Sequence, residues 1–391
     1  MADVLISGGG IAGSTLAILL GRQGLAVELF ERRTFPKDKA CGEGLMPAGV
    51  GVLQRLGLAE AVGGAPFHGV RYHFGKQRAE GRFPRTAGLP ASGRGQRRLH
   101  LDAVLFETAA ATPNVAAHTG AQVEAPLIEN GRVIGLLVDG QPCRAPLVVA
   151  ADGVHSPLRH QAGLHVSQRR HRYGACAHFR LAPGQAPSPW VDVFACRGYE
   201  LYVTPLPGNE VLVAGLADAG AAREPIAETF LRWRASAPEL ASRLEGAEQT
   251  SEILCSSPLA ARARAGVAPG IALLGDAAGF LDPITGGGMT QALVTAELLA
   301  QYAMRGVEQF PAWMWSFERD RQAFLRDYRW LTRMVLWLAD HPRLAERALS
   351  LLRSSPLLFS HLVGVSGGVR RLLPGSKLAC SLAARQPLVV E

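Results

Sequence analysis

Three glycines near the start of the chain, Gly8, Gly10 and Gly13, have the spacing of a phosphate-binding turn. Residues 3–7, with an apolar centre, precede them and predict a short buried strand, and residues 14–22 follow as a predicted helix. Gly8 permits a tight turn out of the strand, Gly10 lets the main chain approach a pyrophosphate, and Gly13 allows helix and strand to pack closely. Because the free amides at the positive end of the helix face the turn, the stretch is suited to binding phosphates.

An acidic residue lies where a nucleotide ribose would be recognised. Gly24 ends the predicted helix, and residues 27–31 predict a second strand that finishes at Glu31, eighteen residues after Gly13. A carboxylate at that strand end can accept hydrogen bonds from ribose hydroxyls. In a chain with 44 glycines the turn alone is a weak signal. The motif is stronger here because a strand, the three glycines, a helix, a second strand and a terminal acid follow one another in the required order. This order favours a dinucleotide site over a merely glycine-rich turn.

A continuous apolar run at 147–151 predicts a buried parallel strand, and Asp152 and Gly153 follow it directly. Open α/β sheets bind ligands at the carboxyl ends of their strands, so we expect this pair beside the first turn. Ser156 and Arg159 come shortly afterwards. We favour contact with a cofactor phosphate for these two side chains, and the alternative is that they cap and neutralise the start of a helix.

A further buried strand is predicted at 271–274 and ends in Gly275 and Asp276. A carboxylate at this sheet edge is suited to hydrogen-bonding a chain of hydroxyl groups. The glycines at 286–288 expose main-chain amides before a predicted helix at 289–304, an arrangement that attracts negative charge. Strand ends from distant parts of the chain are therefore expected to meet around one cofactor.

The composition narrows the function classes. A chain of 391 residues with 48% hydrophobic and 19% charged residues predicts a folded protein of two domains. The formal charge of +8 is spread over scattered basic residues without a nucleic-acid-binding module, so we expect no nucleic-acid partner; a phosphate-rich cofactor or anionic substrate accounts for part of the excess. Six widely spaced cysteines predict neither a zinc site nor disulfides. Together with the absence of a leader or a long apolar run, they predict a cytoplasmic protein with no transmembrane segment.

Alternating segments at 67–84 and 173–218 predict a hairpin and an inserted antiparallel sheet, whose aromatic side chains either wall a substrate pocket or form plain core. A single strand is predicted at 115–123 and a helix at 222–244. We accordingly predict a discontinuous nucleotide-binding domain (1–65, 96–165 and 258–320), a β-sheet substrate domain (66–95 and 166–257) and a C-terminal helical region (321–391). The apolar stripes of that last region favour packing on the sheet domain; contact with a bilayer and an access route for an apolar substrate are the alternatives.

Three motifs occur together: Gly8-x-Gly10-x-x-Gly13 with Glu31, Asp152-Gly153 with Ser156 and Arg159, and Gly275-Asp276. Together they resemble those of the single-component flavin monooxygenases of the para-hydroxybenzoate hydroxylase fold. The geranylgeranyl reductases and flavin-dependent halogenases are relatives of these enzymes. The resemblance covers residues 1–320. It implies an α/β fold: a Rossmann-like FAD-binding domain with a parallel sheet, an inserted antiparallel β-sheet substrate domain and a C-terminal helical segment.

The resemblance also implies which residues hold FAD. In the hydroxylases the Asp152 position helps to dock a nicotinamide nucleotide, so NADH or NADPH is implied as a transient electron donor. Cys41, Pro283 and Gly288 would have positioning roles at the reactive ring, although the residues alone favour Cys41 as a small buried filler. No metal is implied. The implied cofactor-binding residues are Gly8, Gly10, Ile11, Ala12, Gly13, Glu31, Arg32, Cys41, Gly42, Arg98, Asp152, Gly153, Gly275, Asp276, Pro283, Gly286, Gly287, Gly288 and Met289.

Two departures from the hydroxylase pattern bear on the reaction. The hydroxylases usually have histidine after Gly-Asp-Ala-Ala, where this chain has Gly279, and the pair Cys41-Gly42 is more like the reductase and halogenase branches. The tryptophan motif of the halogenases is missing at 199–205, which disfavours halogenation.

We therefore expect an NAD(P)H-dependent hydroxylase that transfers oxygen from dioxygen to a largely apolar, aromatic or polyketide-like small molecule. The alternative is a reductase that delivers hydride to an alkene or polyprenyl chain, which Cys41 and the apolar tail favour. A halogenase and a flavin-binding sensor without activity are less favoured. Peripheral membrane contact stays open, as does the choice between monomer and dimer.

Overall fold

The computed structural model describes residues 1–75, 77–168, 172–196, 198–218, 225–259, 261–280 and 282–373. The strands are β1 (Val4–Ser7), β2 (Val27–Glu31), β3 (Gly44–Leu45), β4 (Ala65–Phe67), β5 (Gly69–Phe74), β6 (Gln77–Arg82), β7 (Gly93–Gly95), β8 (Val115–Thr119), β9 (Val123–Glu129), β10 (Arg132–Val138), β11 (Gln141–Arg144), β12 (Leu147–Ala150), β13 (Arg172–Arg180), β14 (Val191–Cys196), β15 (Tyr199–Leu206), β16 (Glu210–Asp218), β17 (Glu248–Gln249), β18 (Leu254–Leu259), β19 (Val267–Ala268) and β20 (Ile271–Leu273). The helices are α1 (Ile11–Arg22), α2 (Pro47–Arg55), α3 (Ala59–Val62), α4 (Arg98–Ala111), α5 (Pro157–Gln161), α6 (Ile226–Ala235), α7 (Pro238–Arg243), α8 (Gly288–Ala303), α9 (Phe310–Ala339), α10 (Pro342–Ser354) and α11 (Pro356–Ser366).

A six-stranded sheet in the order β19-β20-β12-β1-β2-β8 forms the centre of the molecule. All neighbours are parallel except β19, which runs antiparallel to β20. Val4 of β1 pairs with Leu147 on one side and Val27 on the other, and its side chain is fully buried. Because β20, β12 and β1 are neighbours and parallel, their carboxyl ends meet at one edge. The predicted meeting of these strand ends is confirmed.

Two of the glycines that follow β1 are required by the fold itself. Gly8 has φ +105°, a conformation that side chains with a Cβ rarely adopt. A Cβ on Gly13 would lie 1.9 Å from the carbonyl oxygen of Gly8, so any larger residue would push α1 away from β1. The predicted roles of these two glycines in the turn and in helix–strand packing are confirmed.

The second large sheet has the order β17-β13-β16-β15-β14-β5-β6, with β18 paired beside β13. The hairpin predicted at 67–84 is β5–β6. One face of the sheet is covered by α6 and α7, and its core includes Phe179, Phe194, Phe230 and Trp233. These aromatic residues are therefore core. The opposite face looks towards the parallel sheet.

Two predicted elements are wrong in their extent. The strand predicted at 115–123 is divided, because Gly120 has φ +73° and turns the chain. Its first part, β8, joins the parallel sheet, whereas β9 forms a separate three-stranded sheet with β10 and β11. The helix predicted at 222–244 consists of α6 and α7, since Pro238 begins a new helix; residues 222–224 lie outside the described residues.

The C-terminal helices pack on both sheets with one face. Phe359 and Val363 of α11 lie on Gly81 of β6, where a Cβ would come within 2.6 Å of the Val363 side chain. Thr332 of α9 hydrogen-bonds Thr285 in the loop before α8, with 2.9 Å between the hydroxyl oxygens. The packing predicted for this region is thus present in the described part, and residues 374–391, which include Cys380, lie outside it.

Within the described ranges, no single helix combines the length and apolarity needed to cross a membrane. Helices α10 and α11 meet those criteria only as a pair, and the chain bends by 108° between them.

Replacing Gly13 with alanine should destabilise the protein by at least ~2 kcal/mol, because the new methyl group overlaps a main-chain oxygen that cannot move freely. Chemical denaturation without added cofactor measures the effect. Gly10→Ala is the matched control, since no atom lies within 4 Å of a Cβ at that position. Equal denaturation midpoints for the two variants would contradict the assigned role of Gly13.

Candidate functional site

A cleft of about 1510 Å³, a volume that includes the space open to solvent, lies between the carboxyl edge of the parallel sheet and one face of the second sheet. Its floor is formed by the loops that follow β1, β12 and β20, and its roof by β13, β15 and β16. The cleft brings together most of the predicted site residues: Gly10, Ile11, Ala12, Cys41, Gly42, Arg98, Gly153, Gly275, Asp276, Pro283, Gly286, Gly288 and Met289.

Six predicted cofactor residues do not line the cleft: Gly8, Gly13, Glu31, Arg32, Asp152 and Gly287. Gly8 and Gly13 serve the fold, as described above. Arg32 is exposed to solvent. Gly287 faces Tyr328 of α9, whose ring would be 3.1 Å from a Cβ there. Cofactor contact by these residues stays a prediction.

Three glycines that line the cleft are not explained by the protein's own packing. No atom lies within 4 Å of a Cβ built on Gly10, Gly42 or Gly288, and none of the three has a positive φ. A larger side chain at these positions would project into the empty cleft. Gly10 and Gly288 also begin the long helices α1 and α8, neither of which has a side-chain cap. Uncapped amides beside open space suit a flat group that carries phosphates.

Glu31 is buried, and its carboxylate already holds the glycine turn. It accepts a 2.9 Å hydrogen bond from the amide of Gly9, one of 3.0 Å from the amide of Arg33, and pairs with Lys37 at 2.6 Å. Burial alone would raise the pKa of Glu31, but Lys37 and the two amides lower it. The side chain is therefore ionised at neutral pH, and its predicted contact with a ribose must share the carboxylate with Lys37.

The two acidic residues at the strand ends differ in environment. Asp276 lines the cleft, and its carboxylate lies 3.5 Å from the ammonium of Lys39. Asp152 has one buried carboxylate oxygen, Oδ1, without a hydrogen-bond partner among the described residues. Burial raises the pKa of Asp152, against an opposing hydrogen bond from Ser156. An orphaned oxygen between the cleft-lining residues Ala151 and Gly153 fits a site that has a further polar group to bind.

Ser156 and Arg159 have the structural role that we treated as the alternative. The hydroxyl of Ser156 accepts a hydrogen bond from the main-chain amide of Arg159 and so caps α5. The guanidinium of Arg159 is buried and donates to the carbonyl oxygens of Val154 at 2.7 Å and Ala277 at 3.1 Å. The expected contact with a cofactor phosphate is wrong, because both side chains are buried in the protein and Arg159 joins the two strand-end loops.

Sequence reasoning missed a buried link at Glu43 between the loops at the floor of the cleft and the sheet that forms its roof. This residue has φ +53° and lies between two glycines. Its carboxylate accepts a 2.8 Å hydrogen bond from the main-chain amide of Arg98 and lies 2.9 Å from Nε2 of His178 on β13. Cys41 accepts the amide of Glu43 at 3.4 Å and is half-buried, so it lines the cleft instead of filling the core. The two glycines around Glu43 were the available signal.

A second link lies at the other end of the same sheet face. Arg172 on β13 is buried and pairs with Glu200 at 2.5 Å, with Asp218 at 3.5 Å and with Asp282 at 3.5 Å. Burial raises the pKa of Glu200 to about 7 despite the opposing attraction of Arg172. The negative charges of Asp282 and Asp218 also raise this pKa. Glu200 is thus a buried acid that is poised near neutral pH.

Between these links the roof of the cleft is mostly small or apolar. Cys176, Ala214 and Tyr202 lie on one rung of the sheet and line the cleft. The hydroxyl of Tyr202 is buried and has no hydrogen-bond partner among the described residues. Burial and then the neighbouring Glu200 raise the pKa of Tyr202 well above its ordinary value, so the phenol stays neutral.

The described residues contain no group of three or more His, Cys, Asp or Glu that could hold a metal ion. One side of the cleft thus has glycines, free helix amides and carboxylates, and the other side is an apolar roof.

A profile of the FAD binding domain family matches residues 1–302. The chain belongs to this family. It is an FAD-dependent oxidoreductase, and FAD is its cofactor. The resemblance drawn from the motifs and the predicted fold class are confirmed.

Several named enzymes are similar to this chain over most of its length. Menaquinone reductase of Mycobacterium tuberculosis is 31% identical over 320 residues, 77% of this chain and 76% of that protein. Squalene monooxygenase of Mus musculus is 30% identical over 326 residues, 76% of this chain and 54% of that protein. A protein of Rhodococcus erythropolis named 2-heptyl-3-hydroxy-4(1H)-quinolone synthase AqdB1 is 27% identical over 368 residues, 90% of this chain and 91% of that protein. Reductases and monooxygenases thus both occur among the family members that resemble this chain.

The fold extends to solved structures of low sequence identity. A flavoprotein/dehydrogenase from Cytophaga hutchinsonii superposes with a TM-score of 0.79 at 19% identity and covers 93% of this chain and 92% of that chain. At this identity the comparison shows a shared fold.

Placing a carboxylate at Gly10 should prevent retention of FAD. In Gly10→Asp the new charge projects into the open part of the cleft beside the start of α1, where it would repel a pyrophosphate. We expect the flavin absorbance per mole of purified protein to fall about tenfold or more. Gly10→Asn, of nearly equal size but neutral, should lose less flavin, and a Gly10→Asp protein that purifies with full flavin content would contradict this placement.

Replacing Glu200 with glutamine should flatten the pH dependence of stability. The folded protein holds a proton on Glu200 up to about pH 7, whereas the unfolded chain releases it near the ordinary value of 4.5. Wild-type stability therefore falls as pH rises through this window, by up to about 3 kcal/mol from this group. Thermal unfolding between the two values measures the slope, and equal slopes for Glu200→Gln and wild type would contradict the assignment.

Proposed function

We propose that the protein is an NAD(P)H-dependent hydroxylase that inserts one oxygen atom of dioxygen into an aromatic ring carrying a long apolar substituent. The observation that supports this most is the two-sided cleft. Its floor has open glycines and helix amides, and its roof has an apolar surface with one unpartnered phenol. The cleft is lined by both the floor loops and the roof strands, so a cofactor held on the floor and a substrate held on the roof can share it.

When bound, FAD would supply the redox chemistry of a reaction in which two electrons from the nicotinamide nucleotide reduce dioxygen, so that one oxygen atom enters the ring and the other leaves as water. The residues proposed to hold it are those on the floor. Gly10 and Gly153 would accommodate the phosphates, Asp276 would accept hydrogen bonds from hydroxyl groups, and the amides at the start of α8 would stabilise negative charge.

The roof residues would bind the substrate. Val191, Leu216 and Leu259 offer apolar contacts, and Cys176 and Ala214 leave space beside them. The Tyr202 hydroxyl is neutral and unpartnered, so it can donate a hydrogen bond to an oxygen on the ring. That bond would position the ring and remove the cost of leaving a buried hydroxyl unsatisfied.

The names of the similar proteins support a substrate with a large apolar part. Two of them name a ring system with an apolar chain, menaquinone and a heptyl quinolone, and a third names squalene. A molecule with one polar ring and one long apolar part matches the division between Tyr202 and the apolar residues of the roof.

A second candidate is reduction of a carbon–carbon double bond in such a substrate. It is favoured by the similarity to the menaquinone reductase, which extends over 76% of that protein. It is also favoured by Cys41, which lines the cleft beside Gly42. Hydride transfer would not require dioxygen, and this difference separates the two reactions.

Incubation with a long-chain alkylphenol and with a polyprenyl quinone, in air and under anaerobic conditions, tests the proposal. We expect NADH or NADPH oxidation that is coupled to oxygen uptake and a product heavier by one oxygen atom. Turnover that persists without dioxygen would instead support reduction.

Tyr202→Phe supplies the control for the site. This variant should keep its flavin but lose about tenfold in kcat/KM for the phenol, because one hydrogen bond to the ring oxygen is lost. A fully active Tyr202→Phe would contradict the assignment of the roof to substrate binding.

A further inference from the structure

The second half of α9 exposes a row of large apolar side chains. Trp330, Met334 and Trp337 have exposed fractions of 60%, 39% and 52%. Their spacing of four and three residues places them on one face of the helix. The opposite face of the same helix is buried against the protein and includes Tyr328 and Leu331. Indole rings on the solvent side are therefore not part of the core.

The next two helices continue this exposure. Leu344 and Leu351 of α10 are exposed by 37% and 56%, and Leu357 at the start of α11 is exposed by 86%. The buried residues of these helices include Leu349 and Phe359, which pack in one cluster with Ala79 of β6. The packing of the C-terminal region on the protein leaves this second apolar face uncovered.

Basic residues are interleaved with the exposed apolar ones. Residues 326–358 contain six arginines and three acidic residues, a net charge of +3. Arg333, Arg343, Arg347 and Arg353 are exposed. We call the exposed side chains of 326–358 the Trp–Arg surface. Indoles, leucines and arginines exposed on consecutive helices are the combination that lies in the interface of a bilayer, with the rings at headgroup depth and the guanidinium groups on lipid phosphates.

We propose that the Trp–Arg surface docks the protein on a membrane that contains anionic lipid. A second copy of this chain fits less well, since a symmetric dimer would bring the arginines of both copies together. A spanning arrangement is disfavoured by the 108° bend between α10 and α11 and by the arginines of α10. The proposal does not depend on which reaction the cleft catalyses.

Sedimentation of the full-length FAD-loaded protein with vesicles tests this surface. We expect binding to phosphatidylcholine vesicles containing about 30% phosphatidylglycerol, weaker binding to pure phosphatidylcholine, and loss of the difference at about 0.5 M salt. Binding should shift the tryptophan fluorescence to shorter wavelength. Failure of the wild type to bind either vesicle would overturn the proposal, whatever the enzymatic assays show.

The double variant Trp330→Ser/Trp337→Ser should lower vesicle binding about tenfold or more, because two interfacial anchors are removed. Both side chains are more than half exposed, so the fold and the flavin content should stay unchanged. Ile128→Ser is the matched control, since Ile128 is 49% exposed on β9, outside the surface. Equal binding of the two variants would contradict the proposal, and so would a wild-type dimer that the double variant converts to monomer.

Discussion

A buried guanidinium holds together the two loops that end the parallel strands. Arg159 is 1% exposed, and it donates to carbonyl oxygens of the loop after β12 and of the turn after β20. These carbonyls lie beyond the last rungs of the sheet, where no strand partner is left, and an unsatisfied buried carbonyl costs about 1–3 kcal/mol. Arg159 donates its hydrogen bonds to main-chain carbonyl groups and to no carboxylate in the described part of the chain. It therefore fixes both loops without forming a hydrogen bond to the side chain of Asp152 or Asp276. The positions of Gly153 and Asp276 in the cleft depend on it.

The distance between floor and roof is set by two buried polar contacts at opposite ends of one sheet face. Glu43 lies 2.9 Å from His178, and Arg172 lies 3.5 Å from Asp282. Buried polar contacts of this kind contribute little net stability, since desolvation offsets much of their attraction. Their effect here is geometric: each joins a roof strand to a floor loop that carries predicted cofactor residues. The floor can then hold FAD while the apolar rung of Tyr202 stays at a fixed height above it.

The sequence predicted the parts of the fold that depend on local pattern. The strand ends, the glycine turn and the helix after Gly286–Gly288 follow from periodicity and from the special geometry of glycine. Glu43 and His178 could not be paired from sequence, because they are separated by 135 residues and neither has a partner in its own segment. Ser156 and Arg159 were assigned to the wrong side of their loop, since a motif gives the residue but not the direction of its side chain. The break at Pro238 was readable, because proline is tolerated at the start of a helix and not within one.

Helix α9 relates the cleft to the outer surface of the protein. Its buried face hydrogen-bonds the loop before α8 through Thr332 and packs Tyr328 on Gly287, next to residues that line the cleft. Its other face carries Trp330 and Trp337. If a bilayer displaced this helix, the loop from Pro283 to Gly288 would move with it. That loop faces the predicted position of the flavin ring. An enzyme that acts on an amphiphilic molecule would gain from this arrangement, since the same helix would contact both the surface that holds the substrate and the loop beside the reacting ring.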